Sequence, residues 1–426
     1  MDSRSSDLAF YEGVLKEDIL PYWMSRCIDA ENGGFFNCFD NSGRHLVCRD
    51  KYTWSQGRFV WLFGKLASMT SCFSDGERSF FLALSEQGAD FLMDHCLLSP
   101  GDWRCTFLMD ERGTAKRAQE GAPLDGSLYA DCFVVAGLAR YARSSANEQP
   151  YAFAKRLYRS ILDRISSGAF HTAPYPIPQG YRAHGIPMIL DNVTQELYAA
   201  ALVFDPRYCG ELRKTMRRCA YDVLDNFTDK TGVVHEMIRS DGSFVDNLLG
   251  MHANVGHTLE DMWFIIDAAR IIDDDSLLAR VFPIVKKALE IGWDEPYGGL
   301  LHFVAVDGGP LSAKRCTLDG IADDPTVAQV LGGWTDKLWW VHSEALYATM
   351  LCYRLTGDDV FLLWHERIRS YAFSTFPNPD KAVGEWIQIR CRDGIPQDKI
   401  VALPVKDPYH IARNLILMIE LLSEPS

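Results

Sequence analysis

Six short stretches divide this chain at a nearly constant interval. They are GGFFNCFDNSG from Gly33, GDWRCTFLMDERG from Gly101, SGAFHTAPYP from Ser167, TGVVHEMIRSDG from Thr231, GGLLHFVAVDGG from Gly298 and GEWIQIRCRDG from Gly384. Each starts at a small or turn residue, runs through apolar or alternating residues and ends at a turn, the pattern of a short β-ribbon. The third is the weakest, because its prolines oppose a long strand. Counted through Gly34, Asp102, Gly168, Gly232, Gly299 and Gly384, the steps are 68, 66, 64, 67 and 85 residues. Between ribbons, TWSQGRFVWLFGKLASM, GSLYADCFVVAGLARYARSS, NVTQELYAAALVF, HTLEDMWFIIDAARII and WWVHSEALYATMLCYRLTG carry apolar residues three and four apart, as amphipathic helices do. Most steps hold two helices and one ribbon. A repeat at such a period sets the architecture: an all-α (α/α)6 barrel, six helix pairs as a toroid with short β-ribbons in its loops. No linker, low-complexity tract or charge block splits it, so residues 1–426 read as one domain.

The helices that form the inner ring are those with polar groups inside an apolar stripe. Gln56 and Arg58 stand beside Trp54 and Trp61, and His257 and Glu260 beside Trp263. Charge on a fully buried face is costly unless paired or solvated, so these groups are expected to face a central cavity. Aromatic walls with a few charges suit a sugar, whose C–H faces pack on rings and whose hydroxyls need polar partners. The formal charge of −14 argues against nucleic acid or an anionic membrane as partner. No apolar run reaches the ~18–20 residues of a membrane span. The N-terminus, MDSRSSDLAFYEG, lacks the basic start and apolar stretch of a signal peptide. The 12 Cys include no C-x-x-C pair and read as reduced thiols of a cytoplasmic protein.

Among the histidines, His257 and His410 stand out. His257 opens a helix and is followed by Glu260 on the same face, where a carboxylate could fix the imidazole tautomer. A helix-start histidine with a first-turn acid favoured by the dipole explains the pair equally well. In VKDPYHIARNL, Asp407 caps a final helix with Pro408 in its first turn, and His410 and Arg413 share a face. His235 and His302 lie in ribbons that could reach the barrel mouth. No HExxH or Cys/His cluster marks a metal site, no G-x-S-x-G a serine nucleophile. Paired carboxylates of a glycosidase type remain open, with Asp131, Glu196, Glu260, Glu344 and Glu385 as candidates.

Taken in order, TWSQGRFVW, SLYADCFVVAGLARYA, PMILDNVTQEL, NVGHTLEDMWFIIDAAR, GWDEPYGGLLHF, DKLWWVHSEALYA, GEWIQIRCRDGIP and KDPYHIARNL resemble the N-acylglucosamine 2-epimerase family over nearly the whole chain. The resemblance implies an (α/α)6 barrel and metal-independent inversion or isomerisation at C2 of an aldose. It implies that Arg58 holds the carbonyl oxygen, that His257 and His410 are the two catalytic bases, and that Glu260 assists His257. It places Tyr129, Asp131, Asn192, Glu196, Trp339, Glu344, Trp386 and Arg413 around the substrate. His342 stands where the family often has Gln. Glu196 follows Asn192 by one turn where isomerases and cellobiose epimerases carry a further His; this and Arg413 resemble the N-acylglucosamine branch. No cofactor is implied as required. Nucleotide (ATP) activation is known in that branch, but no phosphate-loop motif accompanies it here. A homodimer is common in the family.

The expected chemistry is two-base epimerisation. Arg58 donates to the oxyanion of an enediolate, one imidazole removes the C2 proton and the other returns it on the opposite face. An aldose–ketose isomerase of the same family, a carboxylate-dependent glycoside hydrolase on the same barrel, and a non-catalytic binding role are the alternatives.

Overall fold

The structure, a computed structural model, describes residues 3–314 and 316–424. Its helices alternate between an outer and an inner ring. Ser3–Gly13 (α1) and Leu20–Arg26 (α2), joined by the wider turn Val14–Ile19, form the first outer element. Inner Thr53–Ala67 (α3) follows, then outer Asp75–His95 (α4), inner Leu128–Ser145 (α5), outer Glu148–Ser167 (α6), inner Gly185–Phe204 (α7) and outer Cys209–Asp222 (α8). Inner Val255–Ile272 (α9) and outer Ser276–Gly292 (α10) precede the short Pro325–Gly333 (α11), which lies in the longest step. Inner Trp339–Thr356 (α12), outer Asp359–Thr375 (α13) and inner Tyr409–Ser423 (α14) complete the barrel. Each inner helix packs on the next, and α14 returns to α3, closing the ring.

The two rings differ as their sequences do. Every residue of α12 from Trp339 to Cys352 is buried, because it touches inner neighbours on both sides and an outer helix behind. In α6 the buried set is Pro150, Tyr151, Ala154, Leu157, Tyr158 and Ile161, a single stripe with water on the other side. Glycine sets the tightest inner contact. A Cβ on Gly57 would lie 2.3 Å from the Phe133 carbonyl, and one on Gly137 would lie 2.5 Å from that of Gly57. Thus α3 and α5 approach backbone to backbone, which carries the neighbouring Arg58 onto the Phe133 ring.

The ribbons occur where expected but are mostly single bridges: Ile28 with Phe35, Thr228 with Val234, Trp293 with Leu300 and Pro377 with Trp386. Leu97–Ser99 and Asp102–Cys105 form a true hairpin. The third stretch forms no hairpin with itself. Gly168 ends α6 with φ of 70°, and Thr172 then bridges to Ser127. Segments just before the inner helices pair with neighbouring loops. Lys51–Tyr52 joins Leu108–Met109, and His252–Asn254 joins Phe303–Ala305. These antiparallel pairs form a rim at one end of the barrel. His342 serves this framework: its Nδ1 donates to the Leu338 carbonyl at 2.7 Å and its Nε2 accepts from Leu300 N–H at 2.9 Å. Among the described residues no helix is long and apolar enough to cross a membrane.

Candidate active site

The first two turns of the inner helices surround a cavity of about 270 Å³. Arg58 comes from α3, Tyr129 from α5, Asn192 from α7, His257 and Glu260 from α9, Trp339 and Trp340 from α12, and His410 and Arg413 from α14. All six inner helices therefore direct their N-termini at one space. Each such terminus carries about half a positive charge, so the cavity favours developing negative charge before any side chain acts. Two loops, through Thr172–Ile177 and Val401–Val405, lie over the cavity and are joined by the Tyr175 hydroxyl donating to the Val401 carbonyl.

On one side stands His410. Asp407 caps α14, its Oδ2 accepting from the Tyr409 and His410 N–H groups at 3.1 Å each. Its Oδ1 accepts from Arg58 Nη1 at 2.8 Å. The Arg58 guanidinium sits 4.2 Å from the Phe133 ring centroid and 5.0 Å from those of Trp54 and Tyr409, which fixes its plane. Its Nη2 lies 3.2 Å from His410 Nε2. His410 Nδ1 lies 2.7 Å from Glu344 Oε1. An ionised carboxylate only accepts, so Nδ1 carries the proton and Nε2 presents its lone pair beside Arg58. Arg413 bonds to both Glu344 and Glu260 from beneath. Burial raises the Glu344 carboxyl, but Arg413 and the His410 contact outweigh it and hold the group at about 2.

On the other side stands His257, whose backbone N–H is accepted by Asn254 Oδ1 at 3.2 Å. Its Nδ1 lies 3.0 Å from Glu236 Oε2, and Oε1 of the same carboxylate lies 3.3 Å from Nδ1 of His184. The other nitrogen of His184 lies 2.8 Å from Asp261 Oδ2. Burial raises the Glu236 carboxyl, yet the facing His257 and His184 hold it well below the usual range. Trp340 packs against both cavity imidazoles, with centroids 5.3 Å from His257 and 5.5 Å from His410. The His257 side chain is 32% exposed and that of His410 10%, so the former is the more open to the cavity. The ligand-type atoms of His184, Glu236 and His257, and those of Glu260, Glu344 and His410, lie within 4.8 Å of one another. In both groups the Nδ1 atoms lie within hydrogen-bond distance of carboxylates, those of His184 and His257 against Glu236 and that of His410 against Glu344.

The expected set divides. Arg58, Tyr129, Asn192, His257, Glu260, Trp339, His410 and Arg413 line the cavity, and Glu344 reaches it through His410. Glu260 does not bond to His257. It shares that helix face, but the Arg413 guanidinium from α14 draws it across the barrel, and Glu236 takes its place. Asp131 faces away: two residues beyond Tyr129 is about 200° around a helix, so it meets Arg164 of α6 at 2.6 Å and the Cys105 N–H at 3.1 Å. Glu196 is on the Asn192 face but a turn deeper, bonded to Arg140 of α5 at 2.9 Å. Trp386 is fully buried and stacks on Phe376, centroids 5.4 Å apart. Glu385 pairs with buried Lys406 at 2.6 Å.

Of the two ribbon histidines, His302 lines the cavity, while His235 is held by the Gly250 carbonyl and Asp229. His184, Glu236, Asp261 and Trp340 were not identified from sequence. Glu236 adjoins His235 in a ribbon already expected at the mouth, which was its one available signal. Trp340 adjoins Trp339.

Comparisons with known proteins agree with this fold. Residues 34–413 match the family model described as N-acylglucosamine 2-epimerase (GlcNAc 2-epimerase). The chain is 28% identical to the N-acylglucosamine 2-epimerase of Bos taurus, over 95% of this chain and 89% of that one. It is 28% identical to the Homo sapiens protein of the same name, over 95% and 87%. Among solved structures, cellobiose 2-epimerase from Bacillus thermoamylovorans superposes with a TM-score of 0.76 at 19% identity, covering 98% of this chain and 99% of that one, which shows a shared barrel. A barrel with this cavity, matched by one family model across most of its length, belongs to the N-acylglucosamine 2-epimerase family and is a carbohydrate 2-epimerase.

Proposed function

We propose that the chain interconverts an N-acylglucosamine and the corresponding N-acylmannosamine by inverting C2 of the open-chain sugar, with His257 and His410 as the two bases. The observation that carries this reading is the pair of imidazoles packed against one tryptophan, each with Nδ1 on a buried carboxylate. The C2 proton is acidic because the C1 carbonyl accepts charge as an enediolate. Arg58 donates to that oxygen, assisted by the inner-helix N-termini. A carbonyl placed there takes the Arg58 hydrogen bond now made to His410 Nε2 and leaves that lone pair for the C2 proton. One imidazole abstracts while the other, already protonated, delivers from the far face.

The N-acyl preference draws on the mammalian relatives, on Arg413, and on Glu196, which bonds to Arg140 and offers no imidazole to the cavity. A cavity near the lower end of the ~300–1,000 Å³ range of small-molecule sites suits one sugar residue. A hydrolase reading fares worse on electrostatics. Glycoside cleavage needs one carboxyl kept protonated as general acid, and here His or Arg groups hold Glu236 and Glu344 ionised.

The test is proton NMR of candidate aldoses in D₂O. N-acetylglucosamine should give N-acetylmannosamine with deuterium at C2. A ketose product would overturn epimerisation in favour of isomerisation, and turnover of unsubstituted glucose alone would overturn the acyl assignment.

A further inference from the structure

His184 is fully buried and sits between two carboxylates, Asp261 on Nε2 and Glu236 on Nδ1. A neutral imidazole has only one N–H, and an ionised carboxylate can only accept. With both carboxylates ionised, each nitrogen faces an acceptor and the ring is satisfied only as an imidazolium; burial pushes the Asp261 carboxyl up, and its bond to His184 opposes that. The hydrogen bonds then form a line from Asp261 through His184 and Glu236 to His257.

We propose that His184 is a positioning residue for the epimerisation: a buried imidazolium that fixes Glu236 and offsets its charge, so that His257 is held as the Nδ1–H tautomer yet remains able to release its second proton. This rests on His257 being one of the two bases. An epimerase base must both take and give a proton, since the reaction runs in either direction. A lone buried carboxylate behind such an imidazole would favour its protonated form, so that the ring would hold its second proton and release it poorly. A second cation on the carboxylate corrects this. Arg413 stands behind Glu344 on the His410 side in the same relation, so both imidazoles are backed by a carboxylate and a cation.

The surroundings support the assignment. From α9 the facing groups are Asp261 and His257, the latter with its ring centroid 6.5 Å from that of His184. From the rim come Glu236 and the buried His252, whose Nδ1 lies 3.0 Å from the Leu248 carbonyl. From α7 comes Asp191, which burial and the charge of Asp261 push well above the usual carboxylate range. From α5 comes Tyr129, whose hydroxyl lies close to Gly185. No arginine or lysine among these groups neutralises Glu236 in place of His184. Burial by itself would lower the His184 ring, but its bonds to Asp261 and Glu236 bring it up to about 10.

Two measurements decide the matter. In the wild-type enzyme labelled with ¹⁵N-histidine, His184 should show both ring nitrogens protonated from pH 6 to pH 9; a neutral ring in that range overturns the proposal, with no substrate or variant involved. In His184→Asn, the alkaline limb of kcat/KM should move upward by about one pH unit or more, equally from either epimer because the equilibrium constant is fixed. A slower variant with both limbs unmoved would show a structural role only and overturn the proposal. Failure of the two-base reading is a separate result, seen as interconversion surviving in His257→Ala.

Discussion

The two sides of the cavity answer one electrostatic requirement with different materials. On the His410 side the carboxylate belongs to an inner helix, Glu344 of α12, and the cation is Arg413 of α14. On the His257 side the carboxylate comes from a rim ribbon, Glu236, and the cation is His184 at the start of α7. Arginine keeps its charge at every working pH, whereas an imidazolium can be discharged. One side is thus wired with a permanent charge on rigid helices, and the other with a titratable charge that reaches His257 through a loop. On the proposed two-base mechanism, proton transfer at the two faces of C2 does not require identical supports; it requires only that each carboxylate be partly neutralised.

The largest effect expected is from removing either imidazole. His257→Ala and His410→Ala should each abolish interconversion, a loss of at least the ~10²–10⁴-fold assigned to general acid–base catalysis. Each variant should still wash deuterium into C2 of the one epimer whose proton faces the surviving base. Measured from each pure epimer, interconversion by His410→Ala would break the two-base comparison and point to a single mobile base. Arg58→Ala follows, with kcat lowered about 10²–10³-fold, the cost of one oxyanion donor, and its steady-state kinetics should be equally poor in both directions.

Next comes the permanent cation. Arg413→Met leaves Glu344 and Glu260 buried with too little compensation and should cost about 3–5 kcal/mol in urea unfolding. Equal stability of this variant and wild type would remove the argument that Glu260 belongs to the His410 side.

The pH dependence of unfolding then separates the two sides. The His184 group stands at about 10 in the folded protein against about 6.5 when unfolded. Its stabilisation is complete below about 6.5 and is lost as pH rises through about 10. Glu344 stands at about 2 against about 4.3 unfolded; its contribution is present above about 4.3 and is lost as pH falls toward about 2. Unfolding free energies across this range should flatten on the alkaline side in His184→Asn and on the acid side in Glu344→Gln. Both variants flattening on one side would contradict the division. Smallest of all, Glu196→Gln should leave KM unchanged, because that carboxylate lies a turn below the cavity; a raised KM would return it to the substrate.

The fold was legible because its signals are local and repeated. Ribbon spacing and three-and-four apolar periodicity depend on neighbours in sequence, and six copies reinforce one another. The same reasoning placed Arg58 and His257, since a charge inside an apolar stripe must have somewhere polar to go; His410 came from the capped final helix and the family resemblance. It failed where a side chain chooses between partners. Glu260 and His257 share a face of α9, so sequence paired them, but Arg413 of α14 lies across the ring and a guanidinium holds a carboxylate more strongly than an imidazole does. Asp131 was read with Tyr129 although two residues along a helix point to nearly opposite sides. Sequence by itself determined the helices, their number of pairs and which faces carry polar groups. Tertiary structure decided which carboxylate backs which imidazole, because that depends on closing a ring in which Arg58 meets Asp407 and His410 across 349 and 352 residues of chain.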